Sequence, residues 1–479
     1  MANRKKKVIW IAGSVILAVI VLTILVLLFG VKALKPRIEA TASKALGMDV
    51  RIGGRVSVSL FPVFGASLAD VTATKGGADV ASMASLRIGL KLLPLVRGRV
   101  EITRLELVKP VISIVRQKNG KLNIETQGGQ SSGNPLTVKK LSISQGSLRF
   151  ADLQSGGKIE LEGVDITAAD IFAGGTSPGD PIKALALTAE IQCRTIKAGT
   201  ITLADAAMKV VGGKGIFDVS QARMRVFGGM GSATLHADFS GAEPHFRITY
   251  ALSRLKIEEL FQEPPNARNM EGPADFSADL TARGRSAVEL KRSLSGQVSL
   301  NGENIKLNRI DLDGLISSLE RSQNFNLVDV GGYFLAGPLG PALTRGYDFA
   351  DLYKQSQGGK GIIAKLVSVW KVGNGVAEAV DVAMATKKQR LAMKGGLDFM
   401  NSRFENVVVA VLDQRGCSVY SQKIHGPFSR PAVDKISTMG SLARPLTNLL
   451  RSAKKLVAPG TCVVFYSGSV AAPQASKLP

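Results

Sequence analysis

The spacing of apolar residues changes character along the chain, and each spacing predicts a different element. From Val8 to Gly30 the residues are apolar and uncharged, and Arg4, Lys5, Lys6 and Lys7 precede them. Such a run is about long enough to cross a ~30 Å hydrocarbon core as a helix. No A-x-A cleavage site follows Phe29, so a retained anchor is expected rather than a signal peptide. The N-terminal cations place that end in the cytoplasm, against the weaker counter-signal of Lys32, Lys35 and Arg37. Leu34, Ile38, Ala42, Ala45 and Leu46 then recur at helical spacing, and Gly47 ends the pattern. This predicts a short amphipathic helix over Lys35 to Leu46.

Beyond it the period becomes two. Val56, Val58 and Leu60 alternate with Ser57 and Ser59, and Ile88, Leu90 and Leu92 with Arg87, Gly89 and Lys91. Leu185, Leu187, Ala189 and Ile191 continue the pattern, as do Phe246, Ile248, Tyr250 and Leu252, then Phe276, Ala278 and Leu280. Each set predicts a strand with one apolar and one wet face. Turn residues separate them at Lys118-Asn119-Gly120, Ser155-Gly156-Gly157, Gly212-Gly213-Lys214 and Phe227-Gly228-Gly229. The short spacing predicts antiparallel meanders, because parallel crossovers need a dozen or more residues.

Helical spacing returns at Ala287 to Leu294, Arg309 to Glu320 and Ile362 to Trp370, around a Gly-rich irregular insertion from Phe325 to Gly361. Strands are expected again from Ala377 to Gln422, with turns near Gly395-Gly396 and Gln414-Arg415-Gly416. A last helix, Leu446 to Val457, precedes a strand from Cys462 to Tyr466. Its Arg451, Lys454 and Lys455 lie opposite an apolar stripe, which suits a cap on a sheet or a helix lying on an anionic membrane. The expected division is 1–30, tip and anchor; 31–127, helix and first strands; 128–285, a β body; and 286–479, a C-terminal region with a helical insertion at about 308–375.

The fold class is therefore mainly β with a few helices, after an N-terminal transmembrane helix. A sheet with one apolar face must hide it. From Ile159 to Leu252 almost no helical pattern is available to cover it. Either two sheets press together, or one sheet curls so that its apolar face lines a groove.

The chain has 479 residues, 51 of them Gly, and a formal charge of +23. Its cations are dispersed and not interleaved with aromatics, which argues against nucleic acid. Cys193, Cys417 and Cys462 form no C-x-x-C, so zinc and thioredoxin-like chemistry are not expected. A Cys417–Cys462 bridge and three buried thiols are both open readings.

Catalytic chemistry is not evident. Gly358-Gly359-Lys360-Gly361 lacks the Ser or Thr of a phosphate loop. Gly65-Ala66-Ser67-Leu68-Ala69 lacks the second glycine of a nucleophile elbow. His236, His245 and His425 are scattered, and Glu160 and Glu162 share the wet side of one strand. No enzyme, cofactor or metal is expected.

The chain resembles the AsmA family of bacterial envelope proteins. The resemblance rests on Lys35-Pro36-Arg37-Ile38-Glu39, Ala45-Leu46-Gly47, Val58-Ser59-Leu60-Phe61-Pro62 and Ser85-Leu86-Arg87 through Leu93-Pro94-Leu95. Arg97-Gly98, Glu101-Ile102, Lys109-Pro110 and Gly120-Lys121-Leu122-Asn123 extend it. Toward the C-terminus Leu327-Val328-Asp329-Val330-Gly331, Cys417-Ser418-Val419-Tyr420, Gly426-Pro427-Phe428 and Cys462, Phe465, Tyr466 and Gly468 also resemble it. The middle, about Gly128 to Arg268, is similar in strand pattern only.

The resemblance implies an inner-membrane anchor and a periplasmic body related to repeating β-groove, bridge-like lipid-transfer proteins. It favours an elongated, curled antiparallel sheet forming an apolar groove. The lining would come from Leu185, Leu187, Ile191, Leu203, Val210, Met224, Val226, Leu235, Phe239, Phe246, Ile248, Phe276 and Leu280. The expected function is to bind lipid, phospholipid above all, and conduct it toward the outer membrane, supporting its lipid homeostasis. The expected partners are membrane lipids, the inner membrane and an envelope protein. The alternative is a non-catalytic scaffold that influences outer-membrane protein assembly.

Overall fold

Most of the period-two segments are strands in the computed structural model, which describes residues 35–44, 46–59, 64–91, 101–124, 136–173, 181–261, 270–318, 327, 359–438 and 462–473. The apolar run 8–30, most of the insertion 325–361 and the terminal helix 446–457 lie outside them. No helix of the described residues is long and apolar enough to cross a membrane. The chain divides into two units, Met1–Met224 and Arg225–Pro479.

The described part of the first unit opens on α1, helical over 35–44. Strands β1 (Asp49–Ile52) and β2 (Val56–Ser59) both lie antiparallel to β3 (Phe64–Lys75). The amphipathic spacing of α1 has a clear target. Ile38 and Ala42 pack on a cluster of Val50, Ile52, Leu68, Val71 and Ala73. Burying an aliphatic side chain of this size contributes about 1.5–3 kcal/mol.

Next come β4 (Ala78–Leu90), β5 (Glu101–Val108), β6 (Val111–Arg116), β7 (Leu136–Asp152), β8 (Lys158–Ala173), the short α2 (Pro181–Ala184), β9 (Ala186–Ala198), β10 (Ile201–Gly213) and β11 (Ile216–Val226). One expectation is corrected here. β5 and β6 pair with β7 in parallel, so the sheet is mixed rather than antiparallel throughout. Residues 117–135 supply the length that a parallel return requires. Their first part is structured: Asn123 donates from Nδ2 to the Ser113 carbonyl and accepts the Val115 N–H, both at 2.9 Å. The Gly120-to-Asn123 signature thus serves β6 as a substitute strand.

In the second unit β12 (Gly229–Asp238), β13 (His245–Lys256), β15 (Pro273–Arg283), β16 (Ser295–Leu307), β17 (Gly361–Gly373), β18 (Val376–Ala385), β19 (Arg390–Asp398), β20 (Arg403–Leu412) and β21 (Ser418–Pro427) pair successively antiparallel. Two-residue β14 (Met270–Glu271) extends β15 along β16. Three short helices intervene: α3 (Ile257–Leu260), α4 (Ala287–Ser293) and α5 (Leu312–Ser318). The last two agree with the helical spacing. Ser286 caps α4 by accepting the Glu289 N–H at 3.2 Å.

Three further expectations fail. Ile362 to Trp370 is strand β17, not a helix. It is buried on both faces, with Leu366 and Trp370 on one side and Ile363 and Val367 on the other. Alternation is therefore lost, and β-branched residues remain the only strand signal. Gly395 and Gly396 lie inside β19 at a register shift, not in a turn. Cys462 to Tyr466 forms only a single bridge, Cys417 to Val464, instead of a strand.

Candidate functional site: a half-buried apolar face

Register in the first unit aligns apolar residues into rows that cross many strands. One row runs Leu68, Leu86, Leu107, Ile143, Ile166, Ile191, Met208 from β3 to β10. A second runs Ala66, Ile88, Leu105, Leu141, Ala168, Ala189, Val210. Neither row contains a charged or hydrogen-bonding side chain. Leu68 is buried, but the six residues that follow it in the first row are all half-buried.

The second unit repeats the arrangement. Leu235, Ile248 and Leu280 form a row, and Leu252, Phe276 and Leu300 another. Phe246 stands between Ala237 and Ala282, with Phe239 edge-on at a centroid distance of 5.5 Å. Tyr250 is tilted against Phe276 at 5.9 Å, and burial pushes its phenol above the usual value.

The structure therefore brings most of the expected lining together. Ile191 and Val210 sit in the two long rows of the first unit. Leu203 extends a third, with Leu161 and Ile196. Leu235, Phe246, Ile248, Phe276 and Leu280 share one face of the second unit, with Phe239 just past the end of β12. Leu185 precedes β9 and Leu187 lies in it opposite Gly212. Met224 is half-buried in β11, whereas Val226 in the same strand is buried. Residues not anticipated as lining include Leu86, Leu107, Ile143, Ile166, Met208 and Tyr250.

These strands carry a common irregularity. Most of the long ones hold an interior residue at positive φ: Asp70 in β3, Gln145 in β7, Gly163 and Asp170 in β8, Asp205 in β10, Gln221 in β11, Arg254 in β13 and Asn304 in β16. Lys109 occupies the same position between β5 and β6. Asp, Asn and Gly tolerate this left-handed region best. At each such residue the apolar positions change parity. Leu68 gives way to Val71 and Ala73, Leu203 to Ala206 and Met208, Leu252 to Leu255, and Gly302 to Ile305 and Leu307.

The irregularities also align between strands. Val108 faces Ser144 and Val111 faces Ser147, so Lys109 and Gln145 stand side by side. Gly163 and Asp205 both lie opposite Arg194. The approach at Gly163 is close, since a Cβ there would come within 2.9 Å of the Arg194 Cβ. A left-handed interruption of this kind bends a strand and increases its twist. Neighbouring strands of the first unit therefore bend along a shared line.

Polar chemistry does not converge on this face. Ser67 lies in β3 between Ser57 and Arg87. His236 and His245 are exposed on the β12–β13 hairpin, and His425 lies 3.6 Å from Asp434 on the surface. Cys193 is a buried free thiol in β9, raised in pKa by burial. Cys417 and Cys462 form a disulfide with Cα atoms 5.9 Å apart. Asp413 lies beside them but accepts the Arg415 and Cys417 backbone N–H groups at 2.9 and 2.8 Å.

The AsmA family matches residues 1–176 and 180–324, about two thirds of the sequence. The chain belongs to the AsmA family. The match runs through the middle, where the sequence resembled the family in strand pattern only, and ends before the C-terminal motifs at 327–331 and 417–468. A comparison with curated proteins found none that matches.

Proposed function

We propose that this AsmA-family chain is a periplasmic lipid conduit tethered to the inner membrane by its apolar segment 8–30. In this reading the sheet curls into an open trough that holds acyl chains and leaves headgroups in water. The observation that carries the reading is the row from Leu86 to Met208, whose members are large, apolar and only half-buried. Such a face against a second sheet would be excluded from water, as Trp370 is at 0% exposure.

Three further features support it. The aligned left-handed residues bend neighbouring strands in concert, as a trough wall requires. The rows offer no charge or donor at which a headgroup would stick. Each buried methylene contributes about 0.8 kcal/mol, so an acyl chain rests on such a lining at a cost comparable to a bilayer. The Cys417–Cys462 disulfide suits an oxidising compartment such as the periplasm.

The test places a photo-crosslinking amino acid at Leu187, Met224 and Phe246 in the full chain in its membrane. Lipid adducts are the expected products, and phospholipid is the expected lipid. Protein adducts alone would replace the conduit with a scaffold for outer-membrane assembly.

A further inference from the structure

The apolar face of the second unit changes state partway across. Its rows continue without a break in register from β12 into the C-terminal strands. Leu235, Ile248 and Leu280 lead through Gly296 to Val372, Ala377 and Leu397. Tyr250 and Ala278 lead through Val298 to Trp370. The accessibility of those rows is not continuous. Ile248 is 38% exposed and Leu280 half-buried, whereas Val372, Ala377 and Leu397 are 6%, 0% and 1% exposed. On the Leu235 row the change falls across β16, between half-buried Leu280 and buried Val372, while on the neighbouring rows Leu252 and Ala278 are already buried.

From β17 onward buried residues occupy both faces of the sheet. Trp370 fills the same face as Ile248, and its indole N–H donates to Ser368 Oγ at 2.8 Å. On the other face Tyr466 and Val470 of the chain segment 462–473 pack over Val367, Ala383, Ala392 and Ala410. That segment is pinned by the disulfide and by buried Arg390, whose guanidinium donates to the Val470 and Asp413 carbonyls.

We infer that β16 and Trp370 form a stop, so that the acyl-binding stretch of this unit is confined to β12, β13 and β15. This rests on the proposed lipid-conduit reading and adds where the conduit ends. A chain lying along the open rows meets Val298 and Trp370, where interior packing leaves no lane beside them. To pass, it would have to displace close-packed side chains, which proteins resist as overpacking. Lipid cannot leave this unit along its C-terminal strands, and transfer must occur from the open stretch. The strands from β16 to β21 serve as a rigid terminus instead of a track.

The test uses the full chain in its native membrane, with a photo-crosslinking residue at Ile248, Leu280, Val372 or Leu397, one per variant. All four lie on one row. The expected result is lipid adducts at Ile248 and Leu280, with yields roughly tenfold or more lower at Val372 and Leu397; tenfold corresponds to about 1.4 kcal/mol of exclusion. Formation of the Cys417–Cys462 disulfide, read on a non-reducing gel, shows that each variant has folded its C-terminal strands. Comparable adducts at all four positions overturn the stop and leave the conduit standing. Adducts at none of them overturn the stop and leave the conduit to the rows of the first unit.

Discussion

The Ile52 backbone N–H donates to Glu39 Oε1 at 2.7 Å, so a helix side chain completes the hydrogen bonding of an edge strand. Ser43, one turn later, accepts the Val50 N–H at 2.8 Å. Both acceptors come from α1, the helix that follows the apolar segment 8–30 in sequence. An open edge invites pairing with other chains. Here the residues that seal it also fix the first helix to the sheet.

Glu39→Ala and Ser43→Ala should therefore each destabilise the first unit by about 1 kcal/mol, the ordinary value of a lost hydrogen bond of this kind. Amide hydrogen exchange at Val50 and Ile52 should accelerate in both variants and stay unchanged at Val298. Unaltered exchange at Val50 and Ile52 would show that water or another group replaces the acceptors without loss.

The left-handed strand residues make a sharper prediction. Asn304 in β16 has a φ of 53°, between Gly302 and buried Ile305. Asn304→Val should cost about 1–2 kcal/mol, because a β-branched residue fits this region poorly. Asn304→Gly should be neutral or slightly stabilising. Thermal unfolding separates the two, and equal losses would mean that backbone conformation is not what Asn304 supplies.

Much of this was legible in the sequence, but the bend was not. Period two located most of the strands, and within the expected lining Leu235, Ile248 and Leu280 fall on one row of the second unit. The bends were also written there, as two successive residues where an alternation allows one between inward-facing positions: Ala69-Asp70 between Leu68 and Val71, Ser253-Arg254 between Leu252 and Leu255, Glu303-Asn304 between Gly302 and Ile305. Scored for alternation alone, such a pair reads as noise, yet its second member is the left-handed residue each time. β17 escaped for the opposite reason, since burial on both faces removed its alternation. The parallel pairing of β5 and β6 with β7 was not readable, because no residue of the return segment marks its direction.

The C-terminal segment depends on a crosslink and a close approach. The disulfide closes a separation of 45 residues. Reducing it, or Cys417→Ser, should cost about 2–4 kcal/mol and expose 462–473 to protease. Gly416, at a φ of 86°, would place a Cβ 2.1 Å from the Tyr466 carbonyl oxygen. Gly416→Ala should therefore loosen the same segment with the disulfide intact. Protease resistance equal to the parent in both variants would refute this account of the segment.

The same region sets a pH window. Burial opposes ionisation of Asp413, but N–H groups from Cys417 and Arg415 outweigh it and hold the carboxyl below its usual value. Its stabilisation is present above the unfolded value of about 3.9 and lost as pH falls through the lower folded value. Burial, then the hydrogen bond to Asp381, push the Tyr466 phenol up to about 12. Its contribution is complete below the unfolded value of about 10 and declines as pH rises through the folded one. Stability measured against pH should fall at both extremes, and Tyr466→Phe should flatten the alkaline limb. An alkaline limb unchanged in that variant would assign it to other groups.

The central claim is that the half-buried apolar rows hold lipid. The most direct measurement is mass spectrometry of lipid extracted from the purified full chain, beside the same chain carrying Ile248→Glu and Leu280→Glu. Lipid around the apolar segment 8–30 is common to both, so the difference reports the rows. The account predicts phospholipid retained by the parent chain in clear excess over the variant. Equal lipid in the two, with both folded, would contradict it.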